Sequence, residues 1–276
     1  MIVDAHHHLW DPTARTYPWL AGDALAPIRR PYTLDDLRVA AGDRIGATVL
    51  IQTVSSVAET EEFLATARAS GGLVAGVVGW LDLTGPDVNG EIDRLRPGPL
   101  VGVRHQVEDE PDPDWLLRDD VTRGLTALGA RGLAYDILVR APQRPAALAA
   151  ARRLDGVRFV VDHAGKPAIA AGEWEPWASW ITAMARCEAV VCKLSGLITE
   201  AAWDDWDAAR IRPYADHVLS AFGADRVLFG SDWPVCELAG RYADVLALID
   251  ELLAGCTATE RAGVLGRTAR RVYALS

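Results

Sequence analysis

The segment AVVCKLSG, residues 189–196, indicates which fold this 276-residue chain adopts. It opens on an uninterrupted apolar run and closes with two polar residues, Lys193 and Ser195. Apolar runs of this kind are typical of strands that are buried on both faces of a parallel sheet. Seven further runs rich in valine, isoleucine and leucine occur along the chain, at residues 1–6, 47–53, 73–83, 100–107, 132–139, 158–165 and 226–235.

Helical patterns fill the intervals between the eight predicted strands. Apolar residues recur there every three or four positions, as one face of an amphipathic helix requires. Thr33 is a candidate N-cap and Gly129 is a candidate C-cap. The stretch 11–32 contains several prolines and is predicted to form a long loop. The predicted helices cover residues 33–44, 58–70, 87–96, 113–129, 144–154, 173–187, 208–223, 240–255 and 257–274.

Eight strand–helix units in one chain predict a (β/α)8 TIM barrel, with residues 1–276 forming a single domain. The alternative is an open, doubly wound sheet. Sheets of that type bind dinucleotides through a GxGxxG turn after the first strand, and this sequence has no such turn there. The barrel is therefore the predicted fold.

The composition narrows the range of partners and compartments. A formal net charge of −10 argues against a nucleic acid or an anionic membrane as a partner. The four cysteines form no metal-binding spacing, which favours a reduced, cytoplasmic compartment. The N-terminus lacks the features of a secretory signal, and no apolar run is long enough to span a membrane. The expected partner is a small-molecule substrate, and a homo-oligomer remains open.

Polar residues cluster at the C-terminal ends of the predicted strands, where enzymes with this barrel build their active sites. Five of the six histidines and both lysines lie at or just beyond these ends. In chain order, the strands end in His6 and His8; Gln52; Trp80 and Asp82; Arg104 and His105; Tyr135 and Asp136; Asp162 and His163; Lys193 and Ser195; and Ser231, Asp232 and Trp233.

Three consecutive histidines, residues 6–8, follow the apolar segment of the first strand, which argues against a purification tag. Side chains alternate along a strand, so His6 and His8 face one side while His7 faces the other. Two imidazoles that converge in this way suit a metal ion or a developing oxyanion. His163 and Asp232, from strands six and eight, are expected to point into the same mouth of the barrel.

The motifs DAHHHLWD, VDHAGKP, KLSG and FGSDWPV together resemble the amidohydrolase superfamily. The resemblance spans all eight strands, from residue 3 to about residue 235. It is closest to the lactonase-type branch, which includes L-fuconolactonase-like sugar-acid lactonases and 2-pyrone-4,6-dicarboxylate lactonase. The first-strand HxH followed by LWD and the eighth-strand GSDWP are its most specific parts.

The resemblance implies a choice between two kinds of site. In the superfamily, the HxH pair and the eighth-strand aspartate hold one metal, and a bridging lysine or glutamate with further histidines holds a second. The fifth strand here has no histidine, and the fourth offers only Arg104 and His105, so two metals are not expected. One zinc or manganese ion on His6, His8 and Asp232, with or without His163, is one alternative. Catalysis without a metal is the other.

In either case the resemblance implies hydrolysis of a lactone. Asp232 is the expected general base that deprotonates water, and His6, His8 and His163 are expected to polarise the carbonyl. A small polyhydroxylated lactone suits the mouth better than a dicarboxylate, although Arg29 and Arg30 in the first loop keep an acidic substrate open. Either Arg104 or His105 faces inward. The candidate substrate contacts are Arg104, His105, Lys193, Gln52, Trp80, Trp10 and Tyr135.

Three other functions are compatible with the sequence. A metal-dependent decarboxylase of the same superfamily would use the same histidines. A Schiff-base aldolase would use Lys193 or Lys166, because lysines at late strand ends serve as nucleophiles in other barrels. A sugar-binding barrel without catalysis would have little need for Asp232 beside His6, His8 and His163.

Overall fold

Eight parallel strands form one sheet whose order follows the chain, from β1 to β8. The structure, a computed structural model, describes residues 1–276. The strands are β1 (Ile2–His7), β2 (Ile45–Ile51), β3 (Val74–Gly79), β4 (Leu100–His105), β5 (Ala134–Ile137), β6 (Arg158–Val161), β7 (Val190–Leu194) and β8 (Val227–Phe229). Residues at the ends of β1 and β8 complete the ring, since the His8 amide donates to the Trp233 carbonyl (2.7 Å). The predicted (β/α)8 barrel is confirmed.

Helices connect consecutive strands and surround the barrel. They are α1 (Leu34–Ala41), α2 (Val57–Ala69), α3 (Val88–Leu95), α4 (Asp119–Gly129), α5 (Arg144–Arg153), α6 (Trp177–Ala185), α7 (Leu197–Glu200), α8 (Ala208–Phe222), α9 (Tyr242–Leu252), α10 (Ala258–Ala262) and α11 (Thr268–Val272), with a π-helical turn at Gly263–Arg267. Every predicted helix is present in whole or in part. The short helix α7 was not predicted, because one turn leaves no periodic signal in the sequence.

Two predicted helix caps have different outcomes. Thr33 caps α1 as predicted, with its hydroxyl accepting from the Asp36 amide and the Asp36 carboxylate accepting in return. Gly129 is the last residue of α4 rather than its cap. A Cβ at this position would lie 2.5 Å from the carbonyl oxygen of Gly156, so close packing requires glycine there.

The hydrophobic core has two parts. A cluster of 13 buried residues draws on alternate positions of the strands, such as Val3, Ala5, Val49 and Val160, and fills the inside of the barrel. A larger cluster of 73 buried residues lies between the strands and the helices. These two clusters leave the C-terminal ends of the strands to polar side chains. No helix has the length and apolar character needed to cross a membrane.

A bulge in β1 determines where the histidines point. Asp4 pairs with Thr48 and His7 with Leu50, so three steps along β1 face two along β2. Because Val3 and Ala5 already face the barrel interior, simple alternation would turn His6 outward. The extra residue instead directs His6 and His8 inward, while His7 bonds to the Thr48 hydroxyl at 2.9 Å. Bulges next to active sites commonly redirect a side chain in this way.

Candidate active site

A cavity of about 370 Å³ opens at the C-terminal ends of the strands. His8, Arg104, His163 and Asp232 form its polar floor, and His6 lies fully buried directly beneath them. The loop after β1 contributes Trp19 and Leu25 to the wall. Other wall residues come from the loops after β4 to β8 and include Glu108, Arg140, Lys166, Glu200, Trp203 and Leu238.

The four side chains that were expected to point into one mouth of the barrel lie close together. The Nε2 atoms of His6 and His8 are 3.2 Å apart. Asp232 Oδ1 lies 3.7 Å from His6 Nε2 and 3.5 Å from His8 Nε2. His163 Nε2 is 4.0 Å from the same oxygen. One small ligand can therefore contact all four groups.

Burial keeps the imidazoles neutral and makes the carboxylate more basic. Desolvation lowers the pKa of His8 to about 3 and that of His163 to about 4. Desolvation also raises the pKa of Asp232 above its ordinary value, against the opposing effect of nearby His163. A buried carboxylate next to neutral imidazoles is a stronger proton acceptor than an exposed one. At neutral pH the site thus holds neutral histidines and one reactive carboxylate.

Hydrogen bonding selects the tautomer of His8. Its Nδ1 lies 2.9 Å from the Ile51 carbonyl oxygen, which only accepts, so the proton is on Nδ1 and Nε2 offers a lone pair to the cavity. The expectation that every imidazole donates to the substrate carbonyl therefore needs refinement, because neutral His8 presents an acceptor. His163 is different: its Nδ1 faces the Ser195 hydroxyl at 3.0 Å, which either donates or accepts.

The donor set fits one divalent cation. Ligands about 2.0–2.1 Å from a tetrahedral zinc ion lie roughly 3.3 Å apart. The separations among His6, His8 and Asp232 are close to that value, and His163 Nε2 lies 4.0 Å from the same Asp232 oxygen. The structure therefore contains histidine and aspartate groups able to bind a metal.

A layer of buried charges supports the floor from below. Lys193 is fully buried and contacts Asp136 Oδ2 at 2.5 Å, Asp162 Oδ1 at 3.0 Å and His6 Nδ1 at 3.2 Å. Arg104 donates to Asp162 at 3.0 Å and also approaches His6 Nε2 at 3.3 Å. A second group of possible metal ligands consists of His6, Asp162 and His163. Lys193 and Arg104 contact Asp162 in this group, and their positive charges oppose a cation there.

A buried carboxylate on β1 joins the first and last strands. Asp4 accepts hydrogen bonds from the Ser231 amide (2.8 Å) and hydroxyl (2.6 Å), the Tyr242 hydroxyl (2.7 Å) and the His6 amide (3.1 Å). It thus fixes the backbone on both sides of the seam from which His6 and Asp232 project. Asp4 is a positioning residue that sequence reasoning did not single out.

The backbone is strained at the reacting groups. Asp232 and His163 have φ values of 58° and 52°, in the left-handed region that residues other than glycine rarely adopt. Gly196, with φ of 62°, packs against both, since a Cβ there would lie 2.7 Å from His163 Nδ1 and 3.1 Å from Asp232 Oδ2. Strain of this kind concentrates at functional sites.

The ambiguity on β4 is resolved. Arg104 faces inward, where its guanidinium donates to the Gln52 side chain (2.9 Å) and backbone carbonyl (2.6 Å). His105 faces outward, stacked on Trp115 and within 2.7 Å of Glu110. The sequence predicts His105 as a substrate contact, but the structure places it away from the cavity lining.

Five other predicted contacts lie outside the cavity wall. Tyr135 is fully buried against Phe159, because its neighbour Asp136 takes the inward position on β5. Trp10 is buried and donates to the Ile28 carbonyl, so it anchors the first loop. Trp80 donates to His105 at 2.9 Å, away from the cavity. Gln52 and Lys193 are fully buried and act behind the floor, through Arg104 and His6.

The structure also bears on the Schiff-base alternative. Lys193 lies beneath the floor with two carboxylates, out of reach of a substrate. Lys166 reaches the cavity wall, but both Glu108 oxygens accept from its ammonium group, at 2.7 and 2.9 Å. An ammonium nitrogen has no lone pair for attack on a carbonyl. Neither lysine is placed as the nucleophile that this alternative requires.

Much of the wall could not be predicted from the sequence. Glu108, Glu200 and Trp203 lie in the connections that follow β4 and β7, and these connections contain only single helical turns and loops, so no periodic pattern predicts which way a side chain points. The only signal for these wall residues in the sequence is that a charged residue follows each of these strands within a few positions.

A parallel barrel with an HxH pair on its first strand and an aspartate after its eighth is the arrangement of the amidohydrolase class. The chain belongs to the amidohydrolase family, whose model matches residues 3–275. The resemblance predicted from the motifs is therefore confirmed.

Two lactonases and one crystal structure are similar to this chain along most of its length. An L-fucono-1,5-lactonase from Burkholderia multivorans is 37% identical over 99% of this chain and 96% of its own length. An L-fucono-1,5-lactonase from Burkholderia ambifaria is 38% identical over 88% of this chain and 83% of its own length. A crystal structure of an amidohydrolase from Burkholderia multivorans with bound zinc has a TM-score of 0.94 and 37% identity, with 100% of both chains covered.

Proposed function

We propose that this protein hydrolyses the ester bond of a small sugar-acid lactone similar to L-fucono-1,5-lactone. One observation carries the proposal: Asp232 shares a polar floor with His8 and His163, His6 lies directly below this floor, and the cavity above it is large enough for a single sugar ring. The similarity to two L-fucono-1,5-lactonases over most of the chain supports the substrate class.

Asp232 starts the reaction as general base. It removes a proton from water while the water oxygen bonds to the lactone carbonyl carbon. The carbonyl oxygen then carries negative charge. His163 stabilises that charge through its Nε2–H when Ser195 donates to its Nδ1, and Arg104 adds positive charge at the same floor.

Ring opening completes the turnover. The tetrahedral intermediate collapses, the bond between the carbonyl carbon and the ring oxygen breaks, and protonated Asp232 returns its proton to the departing alkoxide. The product is the open-chain hydroxy acid, which carries one negative charge at neutral pH. Asp232, itself an anion, then disfavours retention of that product.

We further propose that the site holds at most one divalent cation, with zinc as the first candidate. His6, His8 and Asp232 would bind it. His163, whose Nε2 lies 4.0 Å from Asp232 Oδ1, would be the additional ligand. A bound ion would supply Lewis-acid polarisation of the lactone carbonyl. The lone pair on His8 Nε2 and the amidohydrolase crystallised with zinc support this choice.

A panel of lactones tests the activity. The panel contains L-fucono-1,5-lactone, other aldono-1,5- and 1,4-lactones, and unsubstituted δ-valerolactone, each assayed by proton release. We expect turnover of at least one sugar lactone well above its spontaneous hydrolysis. If the enzyme opens no lactone of the panel, the proposed function is wrong. Carbon dioxide release from a hydroxybenzoate would instead favour the decarboxylase alternative.

Zinc titration of metal-free protein, followed by calorimetry, tests the metal proposal. We expect one site in the wild type. In His8→Ala we expect binding about 100-fold weaker or absent, because a ligand with its lone pair directed at the ion is lost. His217→Asn on helix α8, remote from the cavity, is the control and should bind like the wild type. Two sites, or equal binding in His8→Ala, would contradict the proposal.

A further inference from the structure

Glu200 is a carboxylate on the cavity wall without a partner in the chain. It is the last residue of α7, it lines the cavity, and it is half-buried. No hydrogen bond or ion pair to its carboxylate exists, although Lys166 and Arg140 lie near enough to influence it electrostatically. Burial of an unpaired carboxylate costs free energy unless a bound molecule supplies donors.

The other charged groups of the wall are satisfied. Both Lys166 and Arg140 pair with Glu108, at 2.7 and 3.1 Å. Arg104 pairs with Asp162 at 3.0 Å. Asp109 is exposed to solvent. The wall thus has no uncommitted cation for an acidic substrate, and Glu200 is its one carboxylate that is shielded from solvent without a partner in the chain.

The position of Glu200 is fixed relative to the reacting groups. Its amide donates to the Gly196 carbonyl (3.2 Å), and Gly196 packs directly on His163 and Asp232. Its own carbonyl accepts from the Ala170 amide at 3.0 Å. A short helix held at both ends in this way places the carboxylate on the wall directly beyond the floor.

An aromatic side chain lines the same cavity three residues further along the chain. This residue is Trp203, and its Nε1–H donates to the Thr199 carbonyl at 2.9 Å, which fixes the indole relative to the end of α7. An indole face packs well on the C–H groups of a sugar ring. A carboxylate at the edge of such a face accepts hydrogen bonds from ring hydroxyls.

We propose that Glu200 is a specificity-determining residue that binds hydroxyl groups of the lactone ring. The assignment rests on the proposed function and deepens it, because it makes the preferred substrate a neutral, polyhydroxylated lactone. Two adjacent hydroxyls can donate to the two carboxylate oxygens at once. Hydrogen bonds to a charged acceptor are stronger than those to a neutral one.

The test compares a sugar lactone with δ-valerolactone, which has no hydroxyl group. For Glu200→Gln we expect the ratio of the two kcat/KM values to fall about 10-fold, and for Glu200→Ala about 100-fold. The change should come mainly from a higher KM for the sugar lactone, because the contact also exists in the ground state. Glu188→Gln, an exposed glutamate at the opposite end of the barrel, should leave the ratio unchanged.

Three results would overturn the assignment, and they differ in what else they affect. A ratio within twofold of wild type in both variants removes Glu200 from recognition but leaves the lactonase proposal intact. Equal losses on both substrates show a structural role only. If the wild-type protein turns over none of the lactones in the panel, both the proposed function and this assignment are contradicted.

Discussion

Asp232→Asn should lower kcat on a lactone substrate by about 10²- to 10⁴-fold, the range that a positioned general base contributes. The amide has nearly the shape of the carboxylate but cannot take a proton from water. Burial raises the pKa of Asp232, so the wild-type carboxylate is a better base than an ordinary aspartate, and its removal should lower kcat. No other carboxylate lines the floor of the cavity.

The measurement is steady-state kinetics with proton release, together with thermal unfolding to show that the variant folds. Asp155→Asn is the matched control, because Asp155 is exposed at the opposite end of the barrel. Zinc content measured in parallel separates loss of the base from loss of a ligand. A variant that keeps more than a tenth of wild-type kcat would remove Asp232 as the base.

Lys193→Met should lower the free energy of unfolding by about 3–5 kcal/mol, the usual cost of removing one partner from a buried ion pair. Lys193 is fully buried between Asp136 and Asp162. Asp162 retains Arg104 at 3.0 Å, whereas Asp136 retains only the Tyr273 hydroxyl. Asp136 would then be a buried carboxylate without a countercharge.

The pH dependence of this loss gives a second readout. Burial raises the pKa of Asp136 and the charge of Lys193 lowers it. Loss of Lys193 therefore raises this pKa further, and the folded variant holds a proton that the unfolded chain releases. Stability therefore falls as the pH rises through that pKa. We expect the deficit of Lys193→Met relative to wild type to grow between pH 5 and pH 8, and Asp136→Asn in the same chain to recover part of it.

Arg94→Met is the matched control for the ion pair. Arg94 also contacts two carboxylates, Glu61 and Glu91, but it is half exposed. Exposed pairs contribute about 0–1 kcal/mol, so chemical denaturation should show little change. An equally small loss in Lys193→Met would show that the buried layer does not stabilise the fold.

The sequence was sufficient for the fold and for four side chains that meet at the candidate site. Uninterrupted apolar runs identify strands buried on both faces, and polar residues at their ends mark the edge of the barrel where this site lies. His6, His8, His163 and Asp232 were found in this way because each directly follows a recognisable strand.

It was harder to predict which side chains of each strand point into the barrel. Both faces of a parallel barrel strand are apolar, so hydrophobicity does not tell whether Arg104 or His105 points inward, or Tyr135 or Asp136. The bulge between Asp4 and His7 also shifts the alternation of inward and outward side chains in β1, and no residue type in the sequence indicates this bulge. The sequence also does not predict how deeply a strand-end residue is buried. Lys193 follows the same pattern as the other strand-end residues, yet it lies beneath the floor of the cavity.

The join between the first and eighth strands has a consequence for biosynthesis. His6 and His8 leave the ribosome more than two hundred residues before Asp232 and the Trp233 carbonyl that holds the His8 amide. A nascent chain therefore cannot assemble the candidate site until the eighth strand is available. Under the proposed function, shortened versions that lack the eighth strand should be inert.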